Sequence, residues 1–390
     1  MDDHQLAAEN VRTGKAWEEF CDSLKAAGQI VLQHAPDTDV DRAEGFRYLT
    51  RLLRVGLRFS LEYGDPSAPQ IIQWMHETLK FGVDNPDQIY LWARISENYE
   101  YRLSGARGNV SFLSINVYGG SFGRGGRRRI AHLNADDIPT GPDGRFELML
   151  STREHSGNWI RLEPDTTTLV IRQTMNNGPT EFPVPLRGRP GVTWPTWSSP
   201  DAATETPIPF TLERLNFAPP PPLSSLRLVK GLQRAVRNLV GTATAFAQLS
   251  DRMLQTPNTI LPTDEKMWAE SFGDPEIRPL GAYWKLAPDE AWVIEFTPPE
   301  CRYWSFLLCN YWAESLEYRF RPVWTNKHRA RYRPDGSVTI VVSHRDPGLP
   351  DVTWLDTEGH REGMITLRWV MAKEAPVPTA RVVKLADLLG

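Results

Sequence analysis

Across residues 301–369 the sequence alternates aromatic and β-branched runs with Pro-Asp-Gly, Asp-Pro-Gly and Glu-Gly turn signals. Runs this short, punctuated this way, match antiparallel strands, so the stretch commits the chain to a mainly β architecture. The same pattern gives strands at 282–285, 291–296, 302–309, 317–320, 338–343 and 364–371. Six or more such strands close as a jelly-roll-like sandwich. Trp284, Trp292, Trp304, Trp312 and Trp324 are expected in its core, which accounts for much of the unusual total of 14 tryptophans.

A length of 390 residues calls for two or three cores. Residues 1–82 read as a helical subdomain, with apolar positions at three- and four-residue steps over 17–31 and 41–63, and a third helix from Pro69 to near Gly82. Short strands at 99–103, 109–118, 145–150 and 167–173 make 83–181 a β-sandwich. Residues 182–262 combine a Pro-rich linker, with Trp194 and Trp197, and one long amphipathic helix; 263–390 form the C-terminal β domain. The expected class is therefore mainly β with a helical N-terminal region, an α+β arrangement.

Composition excludes several function classes. A net charge of -4 and a pI near 6.1 give no electrostatic reason to bind nucleic acid or an anionic membrane. No run of about 18 apolar residues suggests membrane insertion, and the acidic, polar N-terminus has no secretory pattern. Cys21, Cys301 and Cys309 are too few for a disulfide framework and lack zinc spacing, which points to a cytoplasmic protein with no metal and no cofactor motif. The run GGSFGRGGRRR, residues 119–129, lacks the Lys-Ser/Thr of a phosphate loop and reads as a mobile basic surface loop.

The densest group of reactive side chains is His344, Asp346, Asp356 and His360, with Trp354 among them. A histidine and a carboxylate facing one pocket would transfer protons near neutral pH. The plainer account is that Asp346 caps its Asp-Pro-Gly turn and the histidines are structural. A second cluster, Asp84, Asn85, Asp87 and Tyr90, stands at a strand entrance, and Arg172 lies in a strand where burial would demand an anion. Neither a Gly-x-Ser-x-Gly elbow nor an activated cysteine is present, so an enzyme would be a hydrolase or lyase without such a nucleophile. The expected ligand is an apolar small molecule resembling a sterol, terpenoid or aromatic acid, handled by acid–base chemistry in an inter-domain cleft. A non-catalytic carbohydrate- or lipid-binding protein and an assembly protein stay open, as does a homo-oligomer.

The phrases RYWSFLLCNYWAESLEYR, PDGSVTIVVSHRDPGLPDVTWLDT, GHREG and TLRW resemble the C-terminal domain of unknown function 1214 (DUF1214). DNPDQIYLWARI, with Asn85, Asp87 and Tyr90, is similar to the start of the companion module DUF1254, and GNWIRL at 157–162 adds to it. The resemblance implies a helical N-terminal part, an immunoglobulin-like sandwich and a jelly-roll-like C-terminal sandwich, and no particular activity.

Overall fold

The computed structural model describes residues 2–121, 126–176 and 205–389. The part of the Pro-rich segment at 182–204, including Trp194 and Trp197, and the loop residues 122–125 lie outside the described residues.

Three helices open the chain: α1 (Asp3–Arg12), α2 (Lys15–His34) and α3 (Asp39–Leu57). Asp2 and Gln5 form a capping box on α1, and the Thr38 hydroxyl accepts from the Asp41 N–H at the start of α3. A π-turn, Arg58–Glu62, prolongs α3. Helix α4 (Ser225–Met253) is capped by Ser224 and crosses this turn at Gly231, where a Cβ would stand 2.2 Å from the Leu61 side chain. Short α5 (Glu265–Glu270) and α6 (Leu385–Leu388) complete the helices.

The first sandwich contains β1 (Ile72–Met75), β2 (Gln88–Arg94), β3 (Tyr101–Ala106), β4 (Phe112–Ser121), β5 (Gly126–Asn134), β6 (Arg145–Ser151), β7 (Trp159–Arg161), β8 (Thr166–Thr174) and β9 (Thr211–Arg214). Its sheets have the orders β1-β2-β8-β4-β5 and β7-β6-β3-β9. The second contains β10 (Leu261–Pro262), β11 (Ile277–Lys285), β12 (Glu290–Phe296), β13 (Tyr303–Leu308), β14 (Trp324–Asn326), β15 (Val338–Ser343), β16 (Thr353–Asp356), β17 (Glu362–Val370) and β18 (Thr379–Lys384). Its sheets run β10-β11-β17-β13-β14 and β16-β15-β12-β18. In each sandwich the alternate residues of two sheets share one core: Leu103, Ile115, Leu148 and Ile171 in the first, Trp284, Trp292, Trp304 and Trp369 in the second.

Several expectations change. The third helix expected from Pro69 to near Gly82 is strand β1 followed by a His76–Leu79 bridge, because β1 finds a partner in β2, with Ile72 opposite Trp92. A run of four to eight apolar-rich residues satisfies both periods, and pairing decides between them. No strand forms at 317–320. The Ser315 and Leu316 carbonyls instead accept from the buried Lys80 ammonium, at 3.0 and 2.8 Å, which fixes the chain in a turn. Strand β9 places residues 211–214 of the expected linker in the first sandwich. Within the expected basic loop, Arg127–Arg129 belong to β5, with Arg127 over the Phe272 ring and Arg128 paired with Glu163.

The two five-stranded sheets turn their outer faces toward each other. Between them, and under α3 and α4, lies a third core built from Trp74, Tyr90, Trp92, Tyr118, Tyr283, Leu307 and Trp312. Its polar residues set the candidate site.

Candidate functional site

Residues 84–90 form the hinge of this seam, because their turn stands at the mouth of β2 while their side chains reach the second sandwich. The Asn85 amide oxygen accepts from the Asp87 N–H at 3.0 Å, an Asx turn that the Asn-Pro-Asp order favours. Asp84 accepts from the Ser315 N–H and hydroxyl, at 3.0 and 2.7 Å. Fully buried Asp87 accepts from the Tyr303 hydroxyl at 2.5 Å, Asn326 Nδ2 at 2.9 Å and Trp324 Nε1 at 3.2 Å. Burial pushes both carboxyls up from their ordinary values, against Lys80 and the Ser315 donors for Asp84 and against Arg329 and the three donors for Asp87.

Beside this turn lies a cavity of about 380 Å³. Its apolar wall is Ile71, Met75, Ile89, Leu91, Ile208 and Phe210; Asp84, Asn85 and Tyr90 supply polar groups, and Tyr318 comes from the second sandwich. His76 and Glu77 open onto the same space, with Nδ1 of His76 3.7 Å from Glu77 Oε2. Both side chains keep 17% exposure. The His76 ring holds the Glu77 carboxyl below its ordinary value despite partial burial. The Thr78 N–H approaches His76 Nδ1 at 3.4 Å. His76 and Glu77 escaped sequence reasoning because the helical template covered them; the signal was a His-Glu pair between Ile72 and Gly82 once that segment is read as a hairpin.

The other sequence-predicted cluster divides. Asp346 is exposed and accepts from the Gly348 N–H at 2.8 Å, as a turn cap does. Asp356 binds Arg321 at 2.7 Å. The Trp354 indole donates to the Ser343 hydroxyl at 3.0 Å. His344 and His360 both meet Thr357, the first through its hydroxyl at 2.9 Å and the second through its carbonyl at 3.1 Å. His360 continues to Glu44 of α3 at 3.0 Å. No hydrogen bond among the described residues joins either histidine to Asp346 or Asp356. No group of three His, Cys, Asp or Glu side chains among the described residues is placed to hold a metal ion.

The His360–Glu44 pair predicts a pH effect. Burial opposes the charge on each, but their mutual hydrogen bond prevails, raising His360 above 6.5 and lowering Glu44 below 4.5. The raised His360 value contributes stability that is complete below about pH 6.5 and lost as pH rises through its folded value. The lowered Glu44 value contributes stability complete above about pH 4.5 and lost as pH falls through its folded value. His360→Gln should therefore cost most between these limits, about 2 kcal/mol. Urea unfolding of both proteins across that range checks it; a pH-independent difference would contradict the linkage.

Residues 284–374 match the model of the family described as a protein of unknown function, DUF1214. That match covers the C-terminal module and none of the companion module. No curated protein matches the sequence. The crystal structure of an uncharacterised Burkholderia cenocepacia protein is similar over 97% of this chain and 99% of that one, at 39% identity and a TM-score of 0.87. A Vibrio parahaemolyticus protein covers 87% of this chain and 98% of its own at 13% identity, with a TM-score of 0.43 that carries no argument. Among the described residues no helix is long and apolar enough to cross a membrane. Nearly full mutual coverage at 39% identity places the chain in one family with the Burkholderia protein, and its residues 284–374 form a DUF1214 region.

Proposed function

We propose that the protein binds a small, mostly apolar molecule in the cavity beside the 84–90 turn and acts on it by proton transfer. The carrying observation is the joint lining of one space by apolar side chains and by His76, Glu77 and Asp84. His76 is the proton-transfer group, since its imidazole opens onto this space with Nδ1 3.7 Å from the Glu77 carboxylate. Asp84 orients rather than reacts, because both of its oxygens are engaged by Ser315. A cytoplasmic setting belongs to the same proposal, supported by the three free cysteines. Pure ligand carriage is the second reading, favoured by the exclusively structural bonds of the 84–87 carboxylates.

His76→Gln separates the two. Once a panel of apolar acids, alcohols and esters has yielded a ligand that is turned over, the variant should lose about a hundredfold in rate with affinity nearly unchanged. Wild-type turnover in His76→Gln removes the histidine from the chemistry, and binding without any turnover favours the carrier.

A further inference from the structure

We propose that the cavity beside the 84–90 turn, read above as a ligand site, takes an uncharged alcohol: a mostly apolar molecule whose hydroxyl is met by Tyr318 and Gln88. This deepens that reading and rests on it.

Two polar side chains that line the cavity are more than nine-tenths buried and yet keep an unused hydrogen-bonding atom. Tyr318, 6% exposed, comes from the second sandwich. Its ring is fixed by the Lys80 ammonium, 4.5 Å from its centroid, and by edge-on packing with Trp324, the two ring centroids 5.8 Å apart. No hydrogen bond among the described residues engages its hydroxyl, which is not sealed from solvent. Burial, with Asp84, Glu77 and Glu317 nearby, raises the phenol against the opposing Arg319, so it stays protonated and can donate. Gln88, also 6% exposed, faces Thr174 across β2 and β8, and its amide nitrogen donates to the Thr174 hydroxyl at 2.9 Å. Its amide oxygen has no hydrogen-bond partner among the described residues and is likewise open. A held donor and a held acceptor that line one space match a group that both accepts and donates, as a hydroxyl does.

Charge selects against ions. Among the described residues no lysine or arginine lines the cavity, whereas Asp84 and Glu77 do, so a carboxylate would be buried beside like charge without a counter-ion. Arg172, opposite Tyr90 in the pairing of β2 with β8, is not a lining residue: its guanidinium donates to the Phe272 carbonyl and has Asp274 at 3.7 Å. An ammonium would find only Glu77, since both Asp84 oxygens accept from Ser315, and Glu77 already has the His76 imidazole at 3.7 Å. A neutral hydroxyl avoids both costs. The hydrocarbon part of the alcohol takes the wall formed by Ile71, Met75, Ile89, Ile208 and Phe210.

Calorimetric titration of the whole protein with 1-octanol, octanoate and octylammonium tests this. 1-Octanol should bind at least about tenfold more tightly than either ion. Tyr318→Phe should weaken 1-octanol about fivefold, the factor of one neutral hydrogen bond, and should leave the melting temperature unchanged because the hydroxyl holds no protein group. Gln88→Met should weaken it by a similar factor, and carries the variant test if the phenylalanine protein does not fold. Octanoate binding as tightly as 1-octanol overturns the uncharged assignment, and octylammonium doing so overturns it in favour of a cation seat at Glu77; both results leave the cavity a ligand site. Undiminished 1-octanol affinity in Tyr318→Phe overturns the hydroxyl contact, and binding of none of the three overturns both readings.

Discussion

Trp312→Ala is expected to destabilise the protein by about 4–5 kcal/mol, the upper range for deleting a buried aromatic. Trp312 is fully buried where α3 meets the loop after β13. Its ring lies 5.7 Å from that of Tyr48 and 4.9 Å from that of Tyr311, and its indole N–H donates to the Asp41 carbonyl at 3.0 Å. Gly45 permits the close approach, since a Cβ there would stand 2.7 Å from the indole. The void cannot refill easily, because one wall is a helix and the other a loop pinned by Asn310 and Glu314. Urea unfolding followed by circular dichroism measures the loss; Trp312→Phe should cost about half as much. A loss below about 1 kcal/mol for the alanine variant would mean that the contact collapses, against this packing.

Asp87→Ala should cost about 3–5 kcal/mol, because two buried donors and one half-buried one lose their common acceptor together. Tyr303, Trp324 and Asn326 all belong to the second sandwich, so the carboxylate is the clasp between the sandwiches. Asp87→Asn keeps one acceptor oxygen but turns an amide toward donors, and should recover only part of the loss. Chemical unfolding of both variants, with Tyr303→Phe for comparison, gives the ranking Ala, then Asn, then Phe in decreasing cost. An asparagine variant as stable as the parent would show that the charge is irrelevant.

Much of the second sandwich was legible because its strands are long, its turns carry Gly and Pro, and both faces of β11, β13 and β17 are apolar enough to demand burial. Short or edge strands were not. β1, β7 and β9 hold three or four residues each, too few to show a period, and form only because a neighbour offers its free edge. Of the candidate residues, the 84–90 turn announced itself through Asn-Pro-Asp, and Arg172 through a charge inside a β-branched run. The cluster at 344–360 illustrates the opposite error: density along the chain is not convergence in space, and these side chains spend their hydrogen bonds on Gly348, Arg321, Thr357 and Glu44.

The polar seam between the facing sheets has a bearing on cooperativity. An apolar interface tolerates sliding, whereas this one matches individual donors to individual acceptors: Asn85 to Ser305, Asp84 to Ser315, Asp274 to Ser114 and Asn116. A displacement of one residue would orphan several buried groups at once, so intermediate dockings are costly and the juxtaposition is close to all-or-none. Neither sandwich can open without unpairing groups in the other, which couples two topologically separate cores into one melting unit.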